Sequence, residues 1–472
     1  MDRHRLVALE MLARWTAYLT APVDAASVAV FRIVFGLMMA WDASRYLAYG
    51  WVDEYYVLPK MHLTYYLFEF VRPWPGVWMH AHFYVLTIAG VLVGLGLAYR
   101  AAAVVLFLGY TYVFLLEASV YMNHHYLMCL LAFLLIWIPA DRAYSLDRWW
   151  RPDLPRTVPQ WAVSILRFQL LVVYFYGALA KLNPDWLRGE PMYSAILRHD
   201  PDVPASANLL PPALIAYGIA YGGILADLGI PLLLMFSRTV LLGFAFATVF
   251  HLANEIFLNI GVFSFLMTGA ITIFFAPDWP RRLARRIGWE SAAPAPVPLP
   301  SARCSRLPLL ALAVYAAFQL LFPLRRFLYP GSVSWTEQGH RFSWHMKLRE
   351  KRSILKITAT DPATGRTWVL DPEQDLLPRQ AKKVETFPDA LLQYAHYHRD
   401  RLRQEGVADP VITVDWLCSL NGRPFQRLID PTANLAVIED SWRPAKWILP
   451  LDESNGSPPA PVQDPHGVTN TQ

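Results

Sequence analysis

Cysteine and charged side chains are both scarce in this sequence. Three of the 472 residues are cysteine, namely Cys129, Cys304 and Cys418, and none belongs to a CxxC motif. This spacing excludes a disulfide framework and a cysteine-based zinc site. Charged residues make up 17% of the chain and hydrophobic residues 55%, with a mean hydropathy of +0.27. Because soluble proteins of this length are rarely so apolar, the composition indicates a membrane protein.

Long stretches with few charges recur through the first two thirds of the chain and predict about nine transmembrane helices. They lie near residues 25–44, 79–98, 101–117, 126–139, 160–182, 213–236, 239–256, 258–276 and 307–323. Several are shorter than about twenty residues, so some spans are expected to be tilted or partly buried. The first lacks a small-residue cleavage site and runs into Asp42 and Arg45, which is typical of a span rather than a cleaved signal peptide.

Lysine and arginine residues are unevenly distributed between alternate loops. Fifteen lie on one side of the predicted spans and five on the other. Since cytoplasmic loops are enriched in these residues, the N-terminus is predicted to be cytoplasmic and the chain after about residue 324 to lie outside. The net charge of +5 comes largely from these loops, so it does not indicate nucleic-acid binding.

A different pattern begins after residue 324. Residues 353–371 alternate apolar and polar side chains around a turn at 361–365, which predicts a β-hairpin. Residues 386–405 have helical spacing, and 411–420 and 425–430 are typical of strands. The predicted fold is a polytopic α-helical membrane protein (residues 1–323) followed by a small α+β extramembrane domain (324–451). Residues 452–472 are predicted to be a disordered tail, and 288–300 a cytoplasmic linker.

Lys181 ends an otherwise uncharged, aromatic-rich helical stretch that begins at Leu170. A charge inside the membrane costs about 2.5–3.5 kcal/mol on insertion scales, so it usually marks function. Apolar surroundings favour the neutral amine of a lysine, which can act as a base. The alternative is that the ammonium group extends to the lipid headgroups, as it often does near helix ends.

Other polar side chains lie near helix ends on the same, outer side of the predicted membrane. With Lys181, the set is Asn123, His124, His125, His251 and Asn254. Lysine, histidine and asparagine together suit acid–base chemistry on a lipid-soluble molecule that enters from the bilayer. Each also has a structural interpretation, because histidines cap helices or form hydrogen bonds inside a core. A metal site is a further alternative, but adjacent histidines point about 100° apart on a helix and no HExxH motif is present, so we expect no metal.

At these residues the sequence resembles the vitamin K-dependent γ-glutamyl carboxylase family. In the predicted membrane part the matching segments are FRIVFG (31–36), YVFLL (112–116), NHHYL (123–127), LRFQ (166–169), KLNPDW (181–186), and FH (250–251) through to IGVFS (260–264). In the C-terminal part they are WT (335–336), SW (343–344), FQR (425–427) and DP (430–431). The segments are collinear and extend from residue 31 to about residue 451.

The resemblance implies roles for particular residues. In this family a lysine deprotonates vitamin K hydroquinone, which corresponds to Lys181, and a histidine that stabilises the oxygenated quinone corresponds to His124. Only one of two adjacent histidines can face a pocket shared with Lys181, and the resemblance selects His124 over His125. The implied cofactor-binding residues are Asn123, Arg167, Tyr174, His251 and Asn254. No metal or nicotinamide is implied.

The glutamate-bearing substrate is expected to bind the outer domain. Trp335, His340 and Trp344 follow the last predicted span and are placed near the entrance for this peptide. Aromatic residues at that depth are equally typical of interfacial anchors.

The predicted function is epoxidation of a vitamin K hydroquinone (menaquinol or phylloquinol type) by O2, coupled to carboxylation of glutamate in a peptide or protein by CO2. A glutamate γ-C–H is too weak an acid for a protein base, so quinone oxidation must generate the base in a site without water. Two alternatives remain: a quinone epoxidase or oxygenase without carboxylation, and a non-catalytic quinone-binding membrane module. The chain is shorter than the animal enzymes, which favours a bacterial plasma membrane.

Overall fold

The computed structural model describes residues 3–198, 210–258, 260–289 and 306–453. The first helices are α1 (Arg3–Thr20), α2 (Ala26–Ala48), α3 (Val77–Leu95), α4 (Tyr99–Leu116), α5 (Asn123–Trp137), α6 (Leu146–Trp150), α7 (Gln160–Lys181), α8 (Pro184–Leu187) and α9 (Met192–Leu197). They are followed by α10 (Pro212–Met235), α11 (Val240–Leu258), α12 (Val262–Ala270), α13 (Trp279–Arg286) and α14 (Arg306–Leu321). The C-terminal helices are α15 (Val333–Thr336), α16 (Pro372–Asp375), α17 (Pro378–Val384) and α18 (Pro388–Gln404).

The strands form two separate sheets. They are β1 (Pro22–Asp24), β2 (Thr157–Pro159), β3 (Lys351–Thr360), β4 (Thr367–Leu370), β5 (Val411–Leu420) and β6 (Gln426–Arg427). Strands β1 and β2 pair with each other, and the other four form one antiparallel sheet in the order β4-β3-β5-β6. The chain divides into two compact units, a first unit of residues 1–176 and 226–324 and a second unit of 177–225 and 325–472.

Within the described residues, six helices are long and apolar enough to cross a membrane. They are α2, α3, α4, α7, α10 and the helical stretch Leu307–Leu328. A bent pair, Val262–Phe274 and Trp279–Arg286 at 94° to each other, is a seventh candidate. Two shorter apolar helices, Asn123–Trp137 and Val240–Ile256, accompany them. The prediction of a helical membrane protein is thus confirmed, and each predicted stretch overlaps a helix. The number of nine spans stays a prediction.

Helices α2 and α3 approach each other through small residues at four-residue spacing. A Cβ atom built on Gly36 would lie 2.4 Å from the backbone nitrogen of Gly94, and one built on Gly90 would lie 2.7 Å from that of Ala40. Both distances are shorter than any normal carbon–nitrogen contact. Small residues spaced in this way let membrane helices pack backbone to backbone.

We expect Gly90→Ala to destabilise the protein by about 1–3 kcal/mol, the usual cost of overpacking. The new methyl group would force α2 and α3 apart. The matched control is Gly222→Ala on α10, where an added Cβ meets no atom within 4 Å. Thermal melting of both variants in detergent checks this, and equal melting temperatures would contradict the packing argument.

Arg32 of the FRIVFG segment fastens the end of α3 to the connection before α6. Its side chain is fully buried. It donates hydrogen bonds to the carbonyls of Ala140 at 3.1 Å and Gly94 at 3.3 Å, and also to that of Tyr144. Carbonyls near helix ends lack intrahelical partners, so a buried guanidinium can satisfy several at once. This arginine is therefore structural.

The predicted hairpin, helix and strands of the C-terminal part are confirmed. Strand β3 pairs with β4 beyond the turn at 361–365 and along its whole length with β5. One face of β5 carries the buried residues Ile412, Val414, Trp416 and Cys418, as a two-residue period requires. Helix α18 contacts β5 and contributes Leu391 and Tyr394 to this core. The predicted linker at 288–300 and tail at 452–472 lie outside the described residues, apart from the first two residues of each.

Candidate functional site

An aromatic ring on α12 links two of the predicted site histidines. The Phe263 ring stacks on His124 of α5, with centroids 5.7 Å apart and planes at 26°. It also meets His251 of α11 edge to face at 5.9 Å and 89°. The first unit thus brings His124 and His251 into contact with the same aromatic ring. Nothing in the spacing of these residues along the chain predicted Phe263.

One ring nitrogen of His251 forms a hydrogen bond, and the other has no hydrogen-bond partner among the described residues. Only 2% of this residue is exposed. Its Nε2 lies 2.7 Å from the hydroxyl of Tyr174 on α7, another predicted site residue. Its Nδ1 is buried, and no atom of the described residues hydrogen-bonds to it. An unpaired buried polar atom costs about 1–3 kcal/mol, so this nitrogen is suited to a bound polar group.

Helix α5 starts at the asparagine of the NHHYL segment. The side-chain oxygen of Asn123 accepts a hydrogen bond from the Tyr121 hydroxyl at 3.0 Å. His125 is buried and meets the ring of Tyr110 on α4 edge to face, with centroids 6.1 Å apart. His125 also lines a cavity of about 10 Å³ together with Asp42. That volume holds about one water molecule, so a quinone ring does not fit there.

Asp42 and Arg45 of α2 form a polar group beside these histidines that sequence reasoning passed over. Asp42 is buried and accepts a hydrogen bond from the Tyr110 hydroxyl at 2.9 Å. The Arg45 guanidinium lies 3.7 Å from the Asp42 carboxylate and close to Gly261, which precedes α12. A charged Asp42 inside the first predicted span and Arg45 directly after it were a visible signal, because charged residues in a membrane usually mark function.

Two other predicted cofactor residues of the first unit are placed differently. Asn254 is half-buried on α11, three residues after His251 and so on nearly the same helix face. Arg167 on α7 donates hydrogen bonds to the carbonyls of Ile273 and Phe275, each at 2.9 Å. It lines a separate, larger groove that none of the predicted histidines lines. The structure therefore does not bring Arg167 together with His124 and His251.

Lys181, in the second unit, is the last residue of α7 and only 8% exposed. Its Nζ lies 5.6 Å from the centre of the Trp186 ring, and its Cε is close to Gly223 of α10. Ala180, Trp186, Ala220 and Leu348 form an apolar cluster at this place. Protein atoms thus cover the side chain, which disfavours the alternative that it extends to the headgroups.

Helix α7 ends and α8 begins within the KLNPDW segment, which fixes the position of Lys181. Asn183 caps α8 by accepting a hydrogen bond from the Trp186 backbone at 3.0 Å, and donates one to the Ala180 carbonyl at 2.9 Å. Asp185 receives two hydrogen bonds from Arg423, at 2.6 and 2.7 Å. Burial acts against the charged carboxylate, but the hydrogen bonds from Arg423 and Asn421 outweigh it and lower the pKa of Asp185.

The predicted peptide-binding tryptophans lie in the core of the second unit. Trp335 and Trp344 are each 1% exposed, and the Trp335 indole donates a hydrogen bond to the Leu449 carbonyl at 2.8 Å. Their role in substrate binding stays a prediction. The loop between them is strained, since Glu337, Phe342 and Trp344 itself have φ angles of 57–61°. Such backbone conformations cost about 1–3 kcal/mol each and often mark functional loops.

Positive side chains gather around the ring of Phe387, next to that loop. Lys383, Arg349 and Arg341 lie 4.4, 5.0 and 5.1 Å from its centre. His340 meets the same ring edge to face at 5.8 Å. We call these four residues and Phe387 the cationic cluster. Sequence reasoning selected only His340 from it, because the others come from three separate segments.

The cationic cluster has more positive than negative charge. Glu337 binds Arg349 at 2.6 Å and Lys351 at 2.7 Å, and Asp389 pairs with Arg341. Lys383 has no ion pair with a carboxylate among the described residues. Burial, and then the charges of Arg349 and Arg341, lower its pKa to about 7. Burial likewise lowers the pKa of His340 well below its usual value. The cluster is therefore prepared for an anion.

The two units present different chemical groups. The first unit offers an aromatic platform with two histidines and an unpaired nitrogen, which suits a planar molecule with polar oxygens. The second unit offers a covered amine and a cationic cluster, which suit proton transfer and a carboxylate. Within the described ranges, no group of three or more His, Cys, Asp or Glu side chains is arranged to hold a metal ion.

Comparison with known protein families gives two matches that together cover most of the chain. Residues 20–279 match the HTTM domain. Residues 304–454 match the lumenal domain of vitamin K-dependent gamma-carboxylase. No solved structure matches the chain.

Proposed function

Because this chain belongs to the vitamin K-dependent γ-carboxylase family, we propose that it couples epoxidation of a vitamin K hydroquinone to carboxylation of glutamate in a peptide or protein. Family membership makes it a carboxylase-like membrane protein. The coupled reaction, its co-substrates O2 and CO2, and the peptide partner are parts of the proposal. So are a bacterial plasma membrane, a cytoplasmic N-terminus and a C-terminal domain on the outer side.

The observation that carries the quinone part is the unpaired Nδ1 of His251. A quinone oxygen or hydroxyl near this nitrogen would satisfy it, and the adjacent Phe263 ring suits a planar aromatic ligand. His124, on the same ring, would supply a second hydrogen bond. The residues present therefore fit a hydroquinone. When bound, it supplies the electrons for reduction of O2 and the strong base that removes the glutamate γ-proton.

We propose that residues of the protein hold and transfer protons in a site that excludes water. Tyr174 fixes the ring of His251, so that the free nitrogen keeps its direction. Lys181 is proposed as the general base that accepts a proton at Nζ, as the family resemblance implies, and its apolar cover excludes competing water. Asp185 and Arg423 would keep the end of α7 in position.

The proposed substrate site is the cationic cluster with the strained loop before it. A peptide glutamate brings a carboxylate, which Arg349, Arg341 and Lys383 can bind by charge and hydrogen bonding. The half-buried His340 is the one predicted substrate residue that belongs to this cluster. Trp335 and Trp344 would act indirectly, by shaping the loop from the core.

A paired assay tests the proposal on the full-length protein in detergent or vesicles. Chemically reduced vitamin K, O2 and labelled CO2 are supplied with a glutamate peptide, and epoxide and labelled peptide are measured together. We expect both products in comparable amounts. Epoxide without label would establish an epoxidase that does not carboxylate, and the absence of both products with retained quinone binding would establish a binding module. A glutamine peptide is the matched control for the label.

We expect peptide affinity to weaken as pH rises above about 7. Below that pH Lys383 is charged and ready for the carboxylate, whereas above it the free protein has lost this proton and binding must restore it. The dissociation constant should then rise by up to about tenfold per pH unit between pH 7 and 9.

The control for this pH dependence is the neighbouring lysine. Lys382 is well exposed, so Lys382→Met should keep the pH profile of the unmodified protein. Lys383→Met should bind weakly at pH 6 and show a flat profile up to pH 9. Titration of labelled peptide by fluorescence anisotropy measures both. A flat profile in the unmodified protein would argue against the cluster as the carboxylate site.

A further inference from the structure

A second site is suggested by the groove that Arg167 lines. Its volume is about 1290 Å³, and it lies entirely within the first unit. Its walls come from α1, α7, the end of α10, the start of α11 and the segment 274–286. The proposed quinone and peptide chemistry uses none of the other residues that line it. A groove of this size holds a molecule with a long apolar body.

The lining combines apolar walls with arginines and no carboxylate. Among the described residues that line the groove, the charged ones are Arg14, Arg167, Arg282 and Arg286. The walls are formed by large apolar side chains such as Phe168, Leu171 and Leu241. An apolar groove whose described charged residues are all positive suits a ligand that is apolar along its length and negative at one end.

Among the described residues, carboxylates do not balance most of the positive charge in this groove. Arg282 pairs with Asp278 at 3.2 Å. In the described part of the chain, the Arg167 guanidinium donates hydrogen bonds to two backbone carbonyls and lies over the ring of Phe274. Arg14 and Arg286 are exposed and have no ion pair with a carboxylate in the described part of the chain. A neutral occupant such as a quinone would leave these charges beside apolar surface, which is unfavourable in a membrane.

The position and composition of helix α1 also favour a ligand with an apolar body and a negatively charged end. It is not among the candidate spans, and it carries an exposed apolar row at helical spacing: Val7, Met11, Trp15 and Tyr18. A helix of this kind lies in the membrane interface with its apolar face in the lipid. Trp15 and Tyr18 line the groove together with Arg14, so the helix offers apolar contacts and a positive charge to the same ligand.

We propose that this groove binds an acidic phospholipid, with the phosphate headgroup at Arg14, Arg282 and Arg286 and an acyl chain along the apolar walls. Basic pockets between membrane helices are typical sites for anionic headgroups. The predicted orientation puts these arginines on the cytoplasmic side, where anionic lipids create a negative surface. Such a lipid would connect α1 to α7 and to the other helices that line the groove.

Native mass spectrometry of the full-length protein in detergent tests this proposal. The protein is titrated with phosphatidylglycerol or phosphatidylcholine that carry the same acyl chains. We expect at least tenfold tighter binding of one phosphatidylglycerol. Arg14→Gln combined with Arg286→Gln should weaken it by about thirtyfold, since each arginine contributes about fivefold near a membrane surface, and should leave phosphatidylcholine unchanged.

Two matched controls separate the groove from general surface charge. Arg151→Gln with Arg156→Gln removes two other exposed arginines of the same predicted side, and should leave binding unchanged. Leu241→Glu places a carboxylate on the groove wall and should abolish the preference for phosphatidylglycerol. Leu242→Glu changes the adjacent exposed residue, which does not line the groove, and should not. Unchanged melting temperatures of all variants show that the fold is intact.

Several results would overturn the proposal. Equal affinity for the two lipids, or an equal loss in the Arg151 and Arg156 variant, would show non-specific charge attraction. Displacement of the lipid by glycerol 3-phosphate at equal concentration would identify a free phosphate site instead. Displacement by an equimolar quinone would identify the occupant as the redox cofactor.

Discussion

Replacing Lys181 with Met should remove quinone epoxidation almost completely. A positioned general base typically contributes about 10²–10⁴-fold to a rate, and the loss should fall in that range. Methionine has nearly the length of lysine, so it can keep the packing against Trp186 and Gly223. The variant should therefore remain folded and still bind the quinone.

The measurements for Lys181 are epoxide formation, quinone binding and thermal melting on the same preparation. Lys356→Met is the matched control, because Lys356 is exposed on β3 in the same unit. Lys181→Ala leaves a space for a small amine, so methylamine or ethylamine should restore part of the activity. Substantial epoxidation by Lys181→Met without added amine would exclude this lysine as the base.

The helices and the outer sheet could be predicted because their signals are local. Hydropathy located the apolar helices, and alternation along 353–371 and 411–420 located strands that the structure confirms. Hydropathy is less informative about the number of spans where a helix is bent or short. Pro277 lies in the bend between Phe274 and Trp279, and Pro139 follows α5, so both breaks have local causes. A hydropathy window does not settle whether such bent or short helices cross the membrane.

Parts of the candidate site depend on contacts that no local pattern encodes. Asp185 and Arg423 are 238 residues apart, and the lysine and two arginines around Phe387 come from separate segments. Phe263 is one of 25 phenylalanines, so its place between two histidines cannot be read from its identity. The burial of Trp335 and Trp344 was likewise invisible in the sequence, and their role in peptide binding stays a prediction.

The histidines of the NHHYL segment should differ strongly in their importance. We expect His124→Ala to lose about 10²–10³ in rate, which is the usual cost of removing one preorganised hydrogen-bond donor. His124 stacks on Phe263, on the ring that also contacts His251 with its unpaired nitrogen. His125 instead faces Tyr110 and a cavity large enough for about one water, so His125→Ala should lose tenfold or less.

We expect the two variants to rank in the opposite order in thermal stability, with His125→Ala the less stable. An effect on the rate can therefore be distinguished from an effect on packing. His125 is buried among side chains of α2, α4 and α5, so its removal leaves a hole and should lower the melting temperature. His124 is only half-buried and should be replaced with little effect on melting. Epoxide formation is therefore measured per folded molecule, next to melting in detergent. A greater loss of rate in His125→Ala would mean that the segment presents its second histidine to the quinone. Full activity in both variants would remove Phe263 and its two histidines from the proposed site, and with them the assignment of the quinone to the first unit.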